Sequence, residues 1–168
     1  MPKVNNELVS ECFAETEMIK ILLDLKKVNH KHGKSNVANT LRTNLRNNKA
    51  IGIVDEDRNK GNQPKYFSEF TRILISHDCL LIKQHHTLEH YLIIIQPEIE
   101  YWLLNAARES NIDPLDFNLP YDLRIRDITK SNTLHTNNDF RNFIKKLISE
   151  KSSSLLTLKN FIQQVYPN

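Results

Sequence analysis

The sequence predicts an α/β domain, a mostly parallel sheet flanked by helices, followed by a small helical appendage. Two observations carry this. Across the first half of the chain, short apolar runs alternate with amphipathic helical patterns in the order β-α-β-α-β-α-β, as parallel strands joined by helical crossovers do. The run Ala50-Ile51-Gly52-Ile53-Val54 is also apolar without alternation, as a strand buried on both faces must be.

Each element follows from its own pattern. Glu7-Leu8-Val9-Ser10 reads as a short strand ending at Glu11, and residues 15–25 place Met18, Ile19, Leu22, Leu23 and Leu25 on one helical face. A second extended segment at 27–29 runs into the polar loop HKHGKSN. There Gly33 permits a tight turn and Ser35 or Asn36 can cap the next helix, residues 36–47. The strand at 50–54 ends in Asp55-Glu56-Asp57-Arg58. Residues 66–74 read as a helix, Leu80-Leu81-Ile82 as a strand, and 98–110, 138–149 and 154–165 as helices, with irregular chain between Asn111 and Asp127. These parts divide as an α/β core over residues 1–96 and a mainly helical part over 97–168, packed on that core.

Composition sets bounds. At 168 residues, 39% hydrophobic and 26% charged, the chain can bury a core without disulfides or structural metal. A net charge of +3 neither demands nor excludes nucleic acid. Cys12 and Cys79 lie far apart with no CxxC partner, so the expectation is two buried thiols in a reducing compartment. The N-terminal MPKVNNELVSE lacks a long apolar region and the apolar stretch 91–95 is too short to span a bilayer, so a cytoplasmic protein without membrane attachment is expected.

Chemistry concentrates at predicted strand ends. Ligands of open α/β sheets bind beyond the carboxyl ends of the strands, and Glu11, the HKHGK loop, Asp55 and Asp57 all fall there. Mg²⁺ prefers oxygen donors and is commonly held by one or two carboxylates. Asp55 and Asp57 point the same way if the backbone stays extended, which turns Glu56 to the opposite side. Asp-x-Asp alone is a weak signal, because acidic residues often follow strands. Glu15 opens a helix, where an acid either favours the helix dipole or supports an ion.

The order of these parts sharpens the reading. Strand–Glu11–xxx–Glu15–helix, then a strand and the His32-Gly33-Lys34-Ser35 junction before Val37, then IGIVDED over residues 51–57, resembles the Toprim domain. Cys12 stands where that family usually has glycine. The similarity covers about the first half of the chain. It is closest to compact Toprim nucleases associated with ATPases of the overcoming-lysogenization-defect type in bacterial anti-phage defence. Leu88-Glu89-His90-Tyr91-Leu92 is similar to their -E-N-Y-L- segment. The resemblance implies a Rossmann-like fold and Mg²⁺ or Mn²⁺ held by Glu11, Asp55 and Asp57, with Glu15 and Glu89 in support. It also implies nuclease activity on DNA or RNA and an ATPase partner that gates it.

Other residues complete the expectation. Lys83 either neutralises charge on a reacting phosphate or is an ordinary strand-end lysine. Lys34, Arg42, Arg46, Arg58 and Lys60, with Lys49 and Lys65, can contact backbone phosphates, although a solvated helix face accounts for several of them. The triplet Gly33-Lys34-Ser35 has no upstream glycine and is not a P-loop, which disfavours ATP hydrolysis. His30, His32, His85, His86 and His90 are expected to line the mouth of the acidic site or lie exposed. On a helix His86 and His90 would share a face; the cysteines are not spaced to complete a zinc site. Trp102 is expected in the core. Against the nuclease stand a non-catalytic Toprim-like module that docks to a partner protein or nucleic acid, and a phosphoryl- or nucleotidyl-transfer enzyme on small substrates. Homo-oligomerisation is compatible with all three.

Overall fold

A computed structural model of the chain describes residues 4–57 and 63–167. Its centre is a six-stranded mixed sheet in the order β2-β1-β3-β6-β5-β4. The strands are β1 (Leu8–Ser10), β2 (Asn29–His30), β3 (Ala50–Asp55), β4 (Arg72–His77), β5 (Leu80–Gln84) and β6 (His90–Ile95). β2, β1, β3 and β6 run parallel, and β5 and β4 add an antiparallel edge. The helices of the first half are α1 (Val4–Glu7), α2 (Phe13–Leu22) and α3 (Lys34–Asn39), the last continuing as a π-helical turn at Thr40–Asn44. The second half adds α4 (Ile99–Glu109), α5 (Arg126–Thr129), α6 (Asn138–Ser149) and α7 (Ser153–Val165). Among the described residues no helix is long and apolar enough to cross a membrane.

β3 explains the layering. Successive side chains leave a strand on opposite faces, so Ile51 and Ile53 join one apolar cluster while Ala50 and Val54 join another. The first cluster is filled by α2, α4, α6 and α7, the second by α3 and the aromatic turn Tyr66–Phe70. Gly52 lets α3 approach closely: a Cβ there would stand 2.9 Å from Leu41 Cδ1 and 3.1 Å from Val37 Cγ1. The helical part shares one core with the sheet, and Trp102 is buried in it with its indole N–H donating to the Asp78 carbonyl, as expected of a core residue. Glu17 on α2, buried, pairs with Arg141 of α6 at 2.9 Å and so ties the two halves together.

One segment departs from its pattern. Residues 66–74 form no α-helix: a 3-10 helix, Lys65–Glu69, gives way to edge strand β4. Tyr66, Phe67 and Phe70 are anchored in the second cluster, which holds the turn short. β4 and β5 are joined at Asp78-Cys79, both with φ of 54°, the positive-φ pair of a type I′ hairpin. That turn is ordinarily announced by Asn-Gly or Asp-Gly, and Asp-Cys gives no such signal. The expected helix carrying His86 and His90 is likewise absent. His90 instead opens β6, buried, with Nε2 donating to the Leu45 carbonyl at 2.9 Å and Nδ1 accepting from the Tyr66 hydroxyl at 2.6 Å.

The α3–β3 contact has a measurable consequence. Gly52→Val should overpack this interface and lower stability by about 1–3 kcal/mol. Urea unfolding checks it, and an unchanged midpoint would show that Leu41 and Val37 yield freely.

Candidate functional site

The parallel pairing of β1 with β3 brings Ser10 opposite Ile53, so that Glu11, one residue on, and Asp55, two residues on, both emerge at the carboxyl edge of the sheet. Glu11 Oε2 accepts the Asp55 backbone N–H at 3.2 Å. Glu15, in the first turn of α2, reaches back: its Oε2 accepts the N–H groups of Glu11 at 2.8 Å and Cys12 at 3.1 Å. This is the carboxylate half of a capping box, so Glu15 does serve its helix. Glu100, at the head of α4, completes the group. It is 4% exposed, and its Oε1 accepts from Thr129 Oγ1. Glu11, Asp55, Asp57 and Glu100 line one cleft of about 360 Å³ together with His32 and Lys130.

Electrostatics in this cleft is dominated by burial and like charge. Burial, then repulsion from Glu100, Glu11 and Asp57, pushes the Asp55 carboxyl up to about 8, against the pull of the Ile99 amide. Burial with the charges of Asp55 and Glu11 holds Glu15 well above the usual carboxylate range, and burial raises Glu11 against the pull of the Asp55 N–H and Lys34. The Cys12 thiol is raised by burial and by Glu15 and Asp55. Two oxygens here, Glu15 Oε1 and Asp55 Oδ1, are buried and have no hydrogen-bond partner among the described residues. Unpartnered buried carboxylate oxygens are costly.

The remaining residues named from sequence fall as follows. Asp57 lines the cleft but not by strand geometry: β3 ends at Asp55, and Asp57 has φ of 58°, so the extended Asp-x-Asp arrangement is not formed. Its Oδ2 pairs with Lys34 Nζ at 2.9 Å, and the same Nζ donates to the Glu56 carbonyl at 2.8 Å. Lys34 is thus buried and bonded at the acidic edge, which corrects its reading as a phosphate contact. Glu56 bonds Gln96 through Oε1. Glu89 is corrected as a metal ligand: it precedes β6 at the opposite edge of the sheet, roughly 20 Å from Ile95 at ~3.3 Å per residue, and pairs with Lys49. Lys83, in register with Leu92 and Gly52, shares their sheet face, opposite the one that carries Ile53 and Asp55. Among the described residues it makes no ion pair with the carboxylates. Arg42 and Arg46 line a separate 310 Å³ hollow at the far edge, with Tyr66, Glu69 and His85, and do not flank the acids. Arg58 and Lys60 lie outside the described residues. Of the histidines, His32 lines the acidic cleft and stacks edge-on with His30 and Phe13.

At that far edge lies a second group. The ligand atoms of Glu69, His85 and His86 all stand within 4.8 Å of one another, the one such trio found among the described residues, and can hold a metal ion. Two imidazoles and a carboxylate suit a borderline cation. The trio already has an internal use. His85 Nδ1 accepts the backbone N–H groups of Thr87 and Leu88, each at 3.1 Å, so Nε2 carries the proton shared with Glu69 Oε2 at 3.1 Å. A cation on Nε2 has to displace that proton. The carboxylates of the acidic cleft stand more widely apart than this trio.

Glu100, Glu98, Thr129 and Lys130 escaped the sequence reading because they belong to the helical half. The available signal was Glu100 itself, an acid inside the apolar stretch Ile99–Leu104 just after a strand end. The Glu69–His85 pair joins residues on either side of the unforeseen hairpin. No family model matches the chain, and neither a curated protein nor a solved structure was found to be similar to it.

Two outcomes follow. A carboxyl raised from 3.8 to about 8 favours the protonated folded form, so its contribution is whole below about pH 4 and lost as pH rises through 8. In buffer without divalent ions, melting temperature should fall across that window. Asp55→Asn should flatten the fall and melt at least about 2–4 °C higher than wild type at pH 8; a variant profile parallel to wild type sinks the assignment. Separately, His85→Ala strands two amide donors and should cost about 1–3 kcal/mol in chemical denaturation, whereas His86→Ala, exposed, should be nearly neutral.

Proposed function

We propose that the chain is a metal-dependent phosphodiesterase acting on DNA or RNA, with the cleft of Glu11, Asp55, Asp57 and Glu100 as its centre. The observation that supports this most is the buried Asp55 Oδ1, without a hydrogen-bond partner among the described residues, in a cleft that Glu11, Asp57, Glu98 and Glu100 also line; Glu15 Oε1, equally unpartnered, lies buried behind it. An all-oxygen donor set fits Mg²⁺ or Mn²⁺. The wide spacing of the acids suits an ion that keeps several of its waters. Glu11 and Asp55 are the residues to hold it, with Glu100 and Asp57 at the walls of the cleft and Glu15 fixing the Glu11 backbone. Such an ion supplies positive charge at the phosphoryl oxygens. His32, in the same cleft, is the imidazole positioned to exchange a proton with an attacking water.

The finer reading is a Toprim-like nuclease. Its support is the motif order around Glu11, Gly33 and Asp55, together with the β1–β3 adjacency that sets Glu11 beside Asp55. In that reading an ATPase partner gates the activity in the cytoplasm, as part of anti-phage defence, and self-association is compatible with it.

The test is cleavage of plasmid DNA and total tRNA with Mg²⁺, Mn²⁺ or EDTA, alone and with any ATPase encoded beside this chain. Cutting should need the metal and fall at least about 100-fold in Asp55→Ala and Glu11→Ala, since a hydrolytic cation contributes several kcal/mol. Full cutting by Asp55→Ala, or in EDTA, overturns the proposal. So does silence under all conditions combined with no Mn²⁺ binding by calorimetry.

A further inference from the structure

On the sheet face opposite the Asp55 carboxylate, a hollow of about 490 Å³ opens where α3 no longer covers the strands. Its floor is Val54, Leu92, Ile94 and Leu81, and Pro64 and Phe67 of the aromatic turn form one wall. Lys83 rises from this apolar floor at one end. At the other end the hollow is closed by Asp55, which also lines the carboxylate cleft. Lys65 and Ser68 stand exposed at the rim.

Three features choose the occupant. Lys83 is half-buried, and among the described residues no carboxylate lies within 4 Å of its Nζ. A lysine in such a place is matched by a ligand that brings acceptors. The lining is mainly apolar, with the edge of the buried Phe67 and Pro64 on one side and Glu56 and Gln63 as further polar members, and apolar and aromatic side chains are surfaces against which nucleobases pack. Lys83 lies three strand residues along and two strands across from Asp55, roughly 14 Å at ~3.3 Å per residue and ~4.8 Å per strand, a span that one nucleotide from phosphate to base edge covers together with the lysine side chain.

We propose that this hollow receives one unstacked base of a single-stranded nucleic acid. The adjoining phosphate lies over the edge of β3 at Asp55, and the Lys83 ammonium donates to a keto oxygen or ring nitrogen of the base. Lys65 faces the sugar-phosphate chain at the rim. A base held in a duplex cannot enter, so the hollow selects unpaired strands. Placing the phosphate at Asp55 rests on the phosphodiesterase reading; the base site itself does not require hydrolysis.

The experiment is fluorescence anisotropy in Ca²⁺ buffer with a labelled single-stranded oligonucleotide and a strand of equal length made wholly of abasic sugar-phosphate. The same strand in duplex and a nucleoside monophosphate competitor complete the set. The intact single strand should bind at least about tenfold more tightly than the abasic strand or the duplex, as one stacked base contributes. Ile94→Trp, which fills the floor, should bring the intact strand to the abasic level, with folding checked by its thermal melt. Lys83→Met, at a half-buried site without an ion pair, gives the same readout should Ile94→Trp not fold. It should lower binding of the intact strand and leave the abasic strand unchanged. Equal affinity for intact and abasic strands overturns the proposal. So does a duplex that binds as well as the single strand, or a free monophosphate that binds as tightly as the strand. Base-dependent affinity without any cleavage retains the hollow and removes the phosphodiesterase reading. Cleavage with base-independent affinity does the reverse.

Discussion

Mutual repulsion among carboxyl groups at the carboxyl edge of β1 and β3 is the constraint around which this molecule is arranged. Glu11, Glu15, Asp55 and Glu100 come from three separate stretches of chain, and each is held at or behind the cleft by a different device. Glu11 is held by strand pairing, Glu15 by a helix cap, Asp55 by the end of a buried strand, and Glu100 by the first turn of α4. A fold that brings them together against their charge must hold all four elements firmly. The apolar core supplies that hold: α2, α4 and the sheet share one cluster that includes Leu8, Ile19, Ile53 and Trp102. Lys34, whose charge reaches Glu11, is spent on Asp57 and the Glu56 carbonyl rather than on Asp55. Burial first, and this repulsion second, raise Asp55 and Glu15 above the usual carboxylate range.

Much of this was legible in the chain. The parallel half of the sheet followed from IGIV between helical patterns, because a strand covered on both faces cannot alternate. The terminal helices followed from their periodicity. Glu11 and Asp55 were legible because strand ends collect polar chemistry in α/β sheets. What stayed hidden depends on non-local geometry. The Asp78-Cys79 turn carries no glycine, so β4 read as helix and the antiparallel edge went unseen. Asp57 leaves the strand path at positive φ, which spacing alone cannot reveal. Arg42 and Arg46 are near Asp55 in chain order, and Glu89 leads into the strand beside Asp55, but all three lie toward the other edge of the sheet, since β3 and β6 run parallel and separate their two ends. Glu100 was invisible for the opposite reason: it is remote in sequence and close in space.

The two faces and two edges of the sheet therefore divide the polar chemistry. Carboxylates gather at one edge with His32 and Lys130; imidazoles, Arg42 and Arg46 gather near the other with Glu69. Tyr66 belongs to the second group, bonded to His90, which is in turn bonded to the Leu45 carbonyl. That chain of bonds pins the aromatic turn to the foot of β6. It also fixes the wall against which Phe67 faces the apolar hollow.

The indole of Trp102 offers something separate from chemistry. It is the chain's single tryptophan, it is buried, and its N–H bonds to the carbonyl of Asp78 in the β4–β5 hairpin, whose carboxylate also binds Ser153 and Thr157 of α7. Hairpin, α4 and α7 thus meet at one point. The molecule carries its own optical gauge there, with emission that reports whether the helical half is seated on the sheet, free of signal from any other indole.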